Sequence, residues 1–370
     1  TASIVAELVC AGLNNNLLAE ELSPSLSRLE RLLCEWFAQR LGLPSQSGGV
    51  AASGGSLSNL MALVVARPHS GLQNDPNTVV FVSKDAHVCF SKAIRVMGLG
   101  PEALQCVETN NDGQISIDSL QAQLIRIRAQ GKKCCAVVAT AGTTVRGAID
   151  PLLALSKFCL HEGIWLHVDG AIGGIYALSQ KIASELKGIS FADSITLNPQ
   201  KILGITKTSS LLLVANRSNL IDTFSTGLPY IEPPWGDEAH GGEMGLQGTR
   251  SGEVLKLWLG LRQLGQNGIQ HLLEESINRR AYLQRHLDIS KLKVISGPLH
   301  LLSCTSKYAD KDQSEQWSLT TRKFLLDNQF MLSRPLHNGS YYLKTVLGNP
   351  HTKSIHLNQL ADLLNNSVQT

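Results

Sequence analysis

Ile164-Trp165-Leu166-His167-Val168-Asp169-Gly170-Ala171 is an apolar run closed by one carboxylate, and thirty-two residues beyond that carboxylate the stretch Asp193-Ser194-Ile195-Thr196-Leu197-Asn198-Pro199-Gln200-Lys201 ends on a lysine. The run from Ile164 to Val168 is apolar throughout, not at every second position, and so are Thr78 to Val82 and Cys135 to Thr140. Strands of this kind are buried on both faces. Between them lie helical patterns at Phe90 to Met97 and Leu152 to Glu162. The alternation predicts an α/β fold with a mostly parallel sheet covered by helices. Ligands of such sheets bind beyond the carboxyl ends of the strands. His87, Thr144 and Asp169 each fall where one of these runs finishes.

Composition narrows the classes of function. Of the 370 residues, 43% are hydrophobic and 17% charged, enough apolar content for a sizeable core with some left over for an oligomer interface. The formal charge of +3 comes from scattered Lys and Arg, which argues against nucleic acid or an anionic membrane as a partner. No apolar run reaches the length of a membrane span and no signal peptide opens the chain, so a cytoplasmic protein is expected. Eight cysteines show no metal-binding spacing and read as small buried hydrophobes in a reducing compartment. The chain opens at Thr1 in a helical pattern, which suggests a segment upstream.

We divide the chain into a helical segment over 1–40, a large domain over 41–282 and a small C-terminal α+β domain over 283–370. Proline and glycine crowd Pro229 to Gly248, which predicts a long mobile loop, and the charge-rich run Lys307 to Gln316 reads as a solvated loop. A helix is expected from Glu253 onwards.

Gly48 to Leu60 reads as a Gly-rich turn that opens a helix. Free backbone amides at a helix N-terminus bind phosphate, which makes Gly55 and Ser56 candidates; an ordinary capped helix has the same pattern. Lys201 stands among Leu197, Pro199, Ile202, Leu203 and Ile205. A lysine so placed has a lowered pKa and a nucleophilic amine, although most lysines are surface cations. A carboxylate after an apolar strand, such as Asp169, needs a cationic partner. A protonated pyridine is one, and the pair Asp169 and Lys201 is able to hold the two ends of pyridoxal 5'-phosphate. His87 is either a structural hydrogen-bonder or a group stacked on the ring, and His167, on the same strand face as Asp169, would support it from behind. No metal site is expected.

Taken in order, Ser23 to Glu30, the turn Ser53-Gly54-Gly55-Ser56, Asp85-Ala86-His87 with Lys92-Ala93, Ala141 to Asp150, His167 to Ala171, Asn198 to Lys201 and Val254 to Trp258 resemble the group II pyridoxal-phosphate-dependent amino-acid decarboxylases, which include the aromatic amino-acid, glutamate and diaminobutyrate enzymes. The resemblance runs from about Asn14 to Thr352. It implies the fold-type I architecture, a homodimer with active sites at the interface, and decarboxylation of an L-amino acid to the amine and carbon dioxide. It also implies a Schiff base on Lys201, Asp169 at the pyridine nitrogen, Ala171 and His87 on the ring faces, Thr144 near the ring substituents, and Asn198, Gly55 and Ser56 at the phosphate. Gly248, Thr249 and Arg250 would lie near the phosphate or the dimer interface, and Tyr230 would return a proton to the substrate carbon.

Three features depart from the family's pattern. Gln200 stands where histidine is usual, and glutamine is able to hydrogen-bond phosphate but does not titrate. His351 takes the place expected of an arginine that binds the substrate carboxylate. An N-terminal segment that lines the substrate pocket in the family is not seen in this sequence. Another lyase or aminotransferase of the same fold, or a non-catalytic relative used for binding or dimerisation, remains open on sequence.

Overall fold

The structure, a computed structural model, describes residues 1–227 and 239–368. Two helices lead in, α1 (Ala2–Leu13) and α2 (Pro24–Arg40). The main unit then runs β1 (Gly48–Ala52), α3 (Gly55–His69), β2 (Thr78–Ser83), α4 (Cys89–Val96), β3 (Leu104–Val107), α5 (Ile117–Ala129), β4 (Lys133–Thr140), α6 (Leu152–Glu162), β5 (Trp165–Gly170), β6 (Ser194–Leu197), β7 (Ser210–Val214) and α7 (Ser218–Phe224). A long helix, α8 (Val254–His286), breaks at Gly265, where φ is 61°. It delivers the chain to β8 (Leu292–Ser296), β9 (Leu301–Ser306), α9 (Lys311–Asp327), β10 (Leu336–His337), β11 (Ser340–Tyr341), β12 (Leu343–Val346) and α10 (Ser354–Asn366).

Seven strands form one sheet in the order β1-β7-β6-β5-β4-β2-β3. From β6 to β3 all neighbours are parallel, and β7 runs antiparallel to both β6 and β1. Successive residues of each strand enter opposite cores. Val79, Phe81, Val137, Ala139, Leu166 and Val168 pack towards α2, α5, α6 and α8, while Val80, Val82, Ala136 and Val138 pack towards α3 and α4. Both faces are therefore apolar, and the strands show no polar alternation. A second sheet, β12-β9-β8, has its own core with the end of α8, α9 and α10.

Two sequence readings are corrected. The expected Gly-rich turn at Gly48 is the edge strand β1, paired residue for residue with β7 from Gly48 with Val214 to Ala52 with Ser210. A Cβ on Gly49 would run into the Leu212 carbonyl, so glycine serves close strand approach there and not flexibility. The charge-rich run after Lys307 is not all loop, because α9 starts inside it. Asp310 accepts the Gln313 N–H at 2.8 Å while the Gln313 side chain accepts the Asp310 N–H at 3.0 Å, a capping box that starts a helix without apolar help.

The lead-in helices are tied to the main unit by buried charge. Arg250, expected near the phosphate or an interface, forms a two-pronged pair with Glu30 of α2: Nη1 meets Oε1, and Nη2 meets Oε2 at 3.1 Å. Glu30 also accepts the Ala51 N–H at 2.6 Å, and Arg250 donates to the Leu17 carbonyl at 3.3 Å. Lys256, 1% exposed, donates to the Lys207 carbonyl at 3.1 Å and meets Glu7 and Glu253 at 3.4 Å, which pins the segment after Lys201 between α1 and α8. Removing one member of a buried pair strands the other. Arg250→Ala should therefore lower unfolding free energy by about 3–5 kcal/mol in a urea titration, and a loss under ~1 kcal/mol would contradict the pairing.

Candidate functional site

The parallel strands end on one edge of the sheet, where the start of α3 crosses them. A cavity of about 190 Å³ opens there, lined by Gly55, Ser56, His87, Thr144, Asp169, Ala171, Asn198 and Lys201. All eight are among the residues singled out from the sequence, contributed by α3, by the loops after β2 and β4, by β5 and by the segment after β6. Asn59, Thr140, Gly142 and Ile172 complete the lining and were not singled out. Asn59 had a signal, since it lies one helical turn beyond Gly55 on the face that meets the cavity.

Asp169, the penultimate residue of β5, is 5% exposed. Its Oδ1 accepts the Ala171 N–H at 3.1 Å and its Oδ2 accepts Asn59 Nδ2 at 3.0 Å. Both donors are neutral, and among the described residues no ion pair reaches this carboxylate. Lys201 closes a short turn, Pro199–Lys201, that follows β6. Its side chain lines the cavity and keeps solvent contact, yet atoms crowd the amine. Desolvation pushes its pKa below the usual lysine range, against the opposing pull of Asp169. His87 Nδ1 accepts the Cys89 N–H at 3.2 Å, so in the neutral ring Nε2 bears the hydrogen. Desolvation holds its pKa down, with Asp169 opposing and Lys201 adding to the fall.

At the start of α3, no side chain caps the helix, whose N-cap is Gly54 with φ 145°. A Cβ on Gly55 would lie 2.9 Å from Asn198 Nδ2, so glycine keeps this turn open beside Asn198. Asn198 is itself held by Ser210, whose hydroxyl donates to Oδ1 at 2.8 Å.

The remaining candidates lie elsewhere. Gln200 turns its Oε1 to the Ser209 N–H at 2.6 Å, at the start of β7. Thr249 lines a separate cavity of about 170 Å³ with Ser53, Ser209 and Gln247. His351 is exposed in the turn after β12, where its N–H donates to Asn349 Oδ1 at 2.9 Å. Tyr230 lies outside the described residues. One cation not singled out from the sequence does reach the site: Lys344 of β12 donates to the Thr144 carbonyl at 3.3 Å. Its pKa is lowered by burial and then by the charge of Lys201.

These residues fit pyridoxal phosphate. A buried carboxylate with only neutral donors suits a protonated ring nitrogen, an uncapped helix start suits a dianion, and a desolvated amine suits an aldehyde. Thr140 Oγ1, buried at the cavity wall without a partner among the described residues, offers one more polar contact. Among the described residues, no cluster of His, Cys, Asp and Glu is arranged to hold a metal.

The model of the pyridoxal-dependent decarboxylase conserved domain matches residues 1–295. The chain is 33% identical over 309 residues to an aromatic-L-amino-acid decarboxylase of Bacillus atrophaeus, covering 82% of this chain and 64% of that protein. It is 27% identical over 374 residues to the L-2,4-diaminobutyrate decarboxylase of Rhizobium meliloti (strain 1021), covering 99% and 75%. It is also 32% identical over 306 residues to the mouse acidic amino acid decarboxylase GADL1, covering 80% and 54%. The chain thus spans from about half to three quarters of the length of these relatives. Among solved structures, Oryza sativa TDC with PLP and tryptamine superposes with a TM-score of 0.92 at 21% identity, covering 99% of this chain and 81% of that one. Catharanthus roseus tryptophan decarboxylase in complex with L-tryptophan gives 0.90 at 24%, covering 99% and 80%. At these identities the likeness is one of fold, the fold-type I architecture.

Two buried histidines near the site set an acid limit on stability. Burial holds His167 and His300 at about 4 against an ordinary 6.5. The unfolded chain takes up both protons as pH falls from 6.5 to 4 and the folded chain does not, so stability is lost across that window. Asp150, pushed up to about 7 by burial, opposes them, because the folded state keeps its proton between 3.8 and 7. His300 bonds Tyr176 Oη at 2.8 Å. In urea titrations at pH 7 and pH 5, His300→Gln should lose less stability on acidification than the unaltered chain; equal losses would contradict a buried neutral His300.

Proposed function

The chain belongs to the pyridoxal-dependent decarboxylase family, and from that membership we propose that it uses pyridoxal phosphate, held on Lys201, to convert an L-amino acid to its amine and carbon dioxide. The observation that carries the reading is that a desolvated amine and a buried carboxylate with only neutral hydrogen-bond donors line one cavity at the carboxyl edge of the sheet. When bound, pyridoxal phosphate supplies an aldehyde for amines and a ring that accepts the electron pair left when the carboxylate departs.

The chain's own groups do the rest. Lys201, with its lowered pKa, carries a larger neutral fraction near neutral pH than a surface lysine, and only the neutral amine attacks a carbonyl. Asp169 holds a proton at the ring nitrogen. The amides at the start of α3 and the Asn198 side chain hold the phosphate. His87 and Ala171, both in the cavity lining, would hold the ring between them and exclude water, and Thr144 would lie near its substituents. Lys344, whose ammonium already reaches the Thr144 carbonyl, is the cation we assign to the substrate carboxylate in place of His351. The proton returned to the substrate carbon is assigned to Tyr230 by family resemblance alone.

A cytoplasmic homodimer completes the proposal. Among the described residues all eight cysteines are free, which suits a reducing compartment, and no helix is long and apolar enough to cross a membrane. Val5, Leu8 and Leu32 on the lead-in helices are 57%, 71% and 49% exposed, more apolar surface than an isolated subunit needs to show.

The test is a screen of purified protein loaded with pyridoxal phosphate against the common L-amino acids and diaminobutyrate, with amine and carbon dioxide measured together. Stoichiometric amine and carbon dioxide from one substrate class is expected; a keto acid or no product would sink the reading. With a substrate in hand, Lys201→Ala should abolish turnover and Asp169→Asn should lower kcat by orders of magnitude. Lys344→Met should raise KM roughly 10- to 100-fold, the loss of one charge-assisted contact.

A further inference from the structure

Four hydrogen bonds run in file through the interior to Asp169: Trp165 Nε1 with Ser194 Oγ at 2.8 Å, Ser194 Oγ with His167 Nδ1 at 2.9 Å, His167 Nε2 with Asn59 Oδ1 at 3.0 Å, and Asn59 Nδ2 with Asp169 Oδ2 at 3.0 Å. Trp165 and His167 lie on β5, Ser194 on β6 and Asn59 on α3. All four side chains are buried, Asn59 at 2% exposed and His167 and Ser194 at 0%.

The direction of every bond follows from chemistry. A carboxylate only accepts, so Asn59 must turn its amide nitrogen to Asp169 and its carbonyl to His167. The second amide hydrogen of Asn59 has its own acceptor, Cys89 Sγ at 3.3 Å. His167 Nε2 must therefore carry the hydrogen, and Nδ1 is left as a lone-pair acceptor. An indole nitrogen only donates, so Ser194 accepts from Trp165 and gives its own proton to His167. Each group has one orientation that satisfies its neighbours. A neutral His167 is what this order needs, and burial, which lowers its pKa, favours that form.

Core packing alone does not account for the file. Apolar side chains fill the neighbouring positions Val138, Phe90 and Met61 of the same core, and a buried polar chain is favourable only when every member is satisfied. We infer that Asn59, His167, Ser194 and Trp165 are positioning residues that hold the Asp169 carboxylate aimed at the cofactor ring nitrogen. The inference rests on the reading of Asp169 given above. If a link is lost, Asn59 is free to rotate its amide and present its carbonyl to Asp169, which pushes the carboxylate away and spoils its aim at the ring nitrogen, so the ring proton loses its partner. The other titratable groups around Asp169 are Lys201 after β6, His87 after β2 and Cys89 of α4, none of which replaces the lost donor.

The test uses the full chain loaded with pyridoxal phosphate labelled with 15N in the ring, and reads the ring-nitrogen shift from pH 6 to 9 in the unaltered chain and in Asn59→Ala, Ser194→Ala and Ser194→Thr. The ring nitrogen should stay protonated to higher pH in the unaltered chain. Asn59→Ala should cut its proton affinity at least about tenfold, one pH unit. Ser194→Ala, which removes one oxygen and little volume, should move the profile the same way by less, and Ser194→Thr should restore it. In cofactor-free protein with 15N-labelled histidine, His167 should be neutral with its hydrogen on Nε2. Asp169→Asn separates the two claims. If it shifts the profile while Asn59→Ala and Ser194→Ala do not, the positioning inference is overturned and the reading of Asp169 stands. If Asp169→Asn does not shift it either, both fall.

Discussion

A buried carboxylate at the end of a central strand is the constraint around which this molecule is arranged. A lone carboxylate buried there would be costly without hydrogen-bond donors or a cationic partner. Two N–H donors temper that charge and leave it uncompensated, which creates a place for a cationic partner. Everything that makes the donors available is architectural. Strand β5 must sit in the middle of the sheet, α3 must cross its end, and Ala171 must follow in a tight turn. Gly170 permits this crowding, because a Cβ there would lie 2.8 Å from the Thr196 carbonyl.

The C-terminal unit is tied to the same edge. The loop after β4 is stitched to it by three bonds: Gly297 N to the Arg146 carbonyl at 2.6 Å, Ser303 Oγ to the Val145 carbonyl at 2.6 Å, and Lys344 Nζ to the Thr144 carbonyl at 3.3 Å. Thr144 at the cavity wall is thus held directly by Lys344, and the two residues after it by Ser303 and Gly297. The third of these bonds also brings a cation close enough to Lys201 for the Lys201 charge to add to the lowering of the Lys344 pKa. That proximity helps explain why a small polar cavity here suits an amine nucleophile and an anionic substrate together.

The parallel sheet was readable because β2, β4 and β5 are apolar on both faces, and only a sheet covered by helices makes that pattern stable. Strand β1 was not readable, since its glycines serve contact with β7 and look like a turn when the partner strand is unknown. The eight cavity residues named from sequence sit next to strand ends or in turns, where local pattern and site coincide. Asn59 and Lys344 were missed for a common reason. Each enters the site through the three-dimensional crossing of a helix or a second sheet; only the helical spacing from Gly55 marks Asn59, and nothing in its own neighbourhood marks Lys344. The register of β12 brings Lys344 to the Thr144 carbonyl, while His351 lies exposed in the turn beyond that strand.

The central claim is that Lys201 is the amine that carries the cofactor. It is tested most directly by loading the purified chain with pyridoxal phosphate, reducing with borohydride, digesting and mapping the phosphopyridoxyl group by mass spectrometry. One label is expected on the peptide containing Lys201, and none there in Lys201→Ala. A label found chiefly on another lysine, or an unchanged yield in Lys201→Ala, would contradict it.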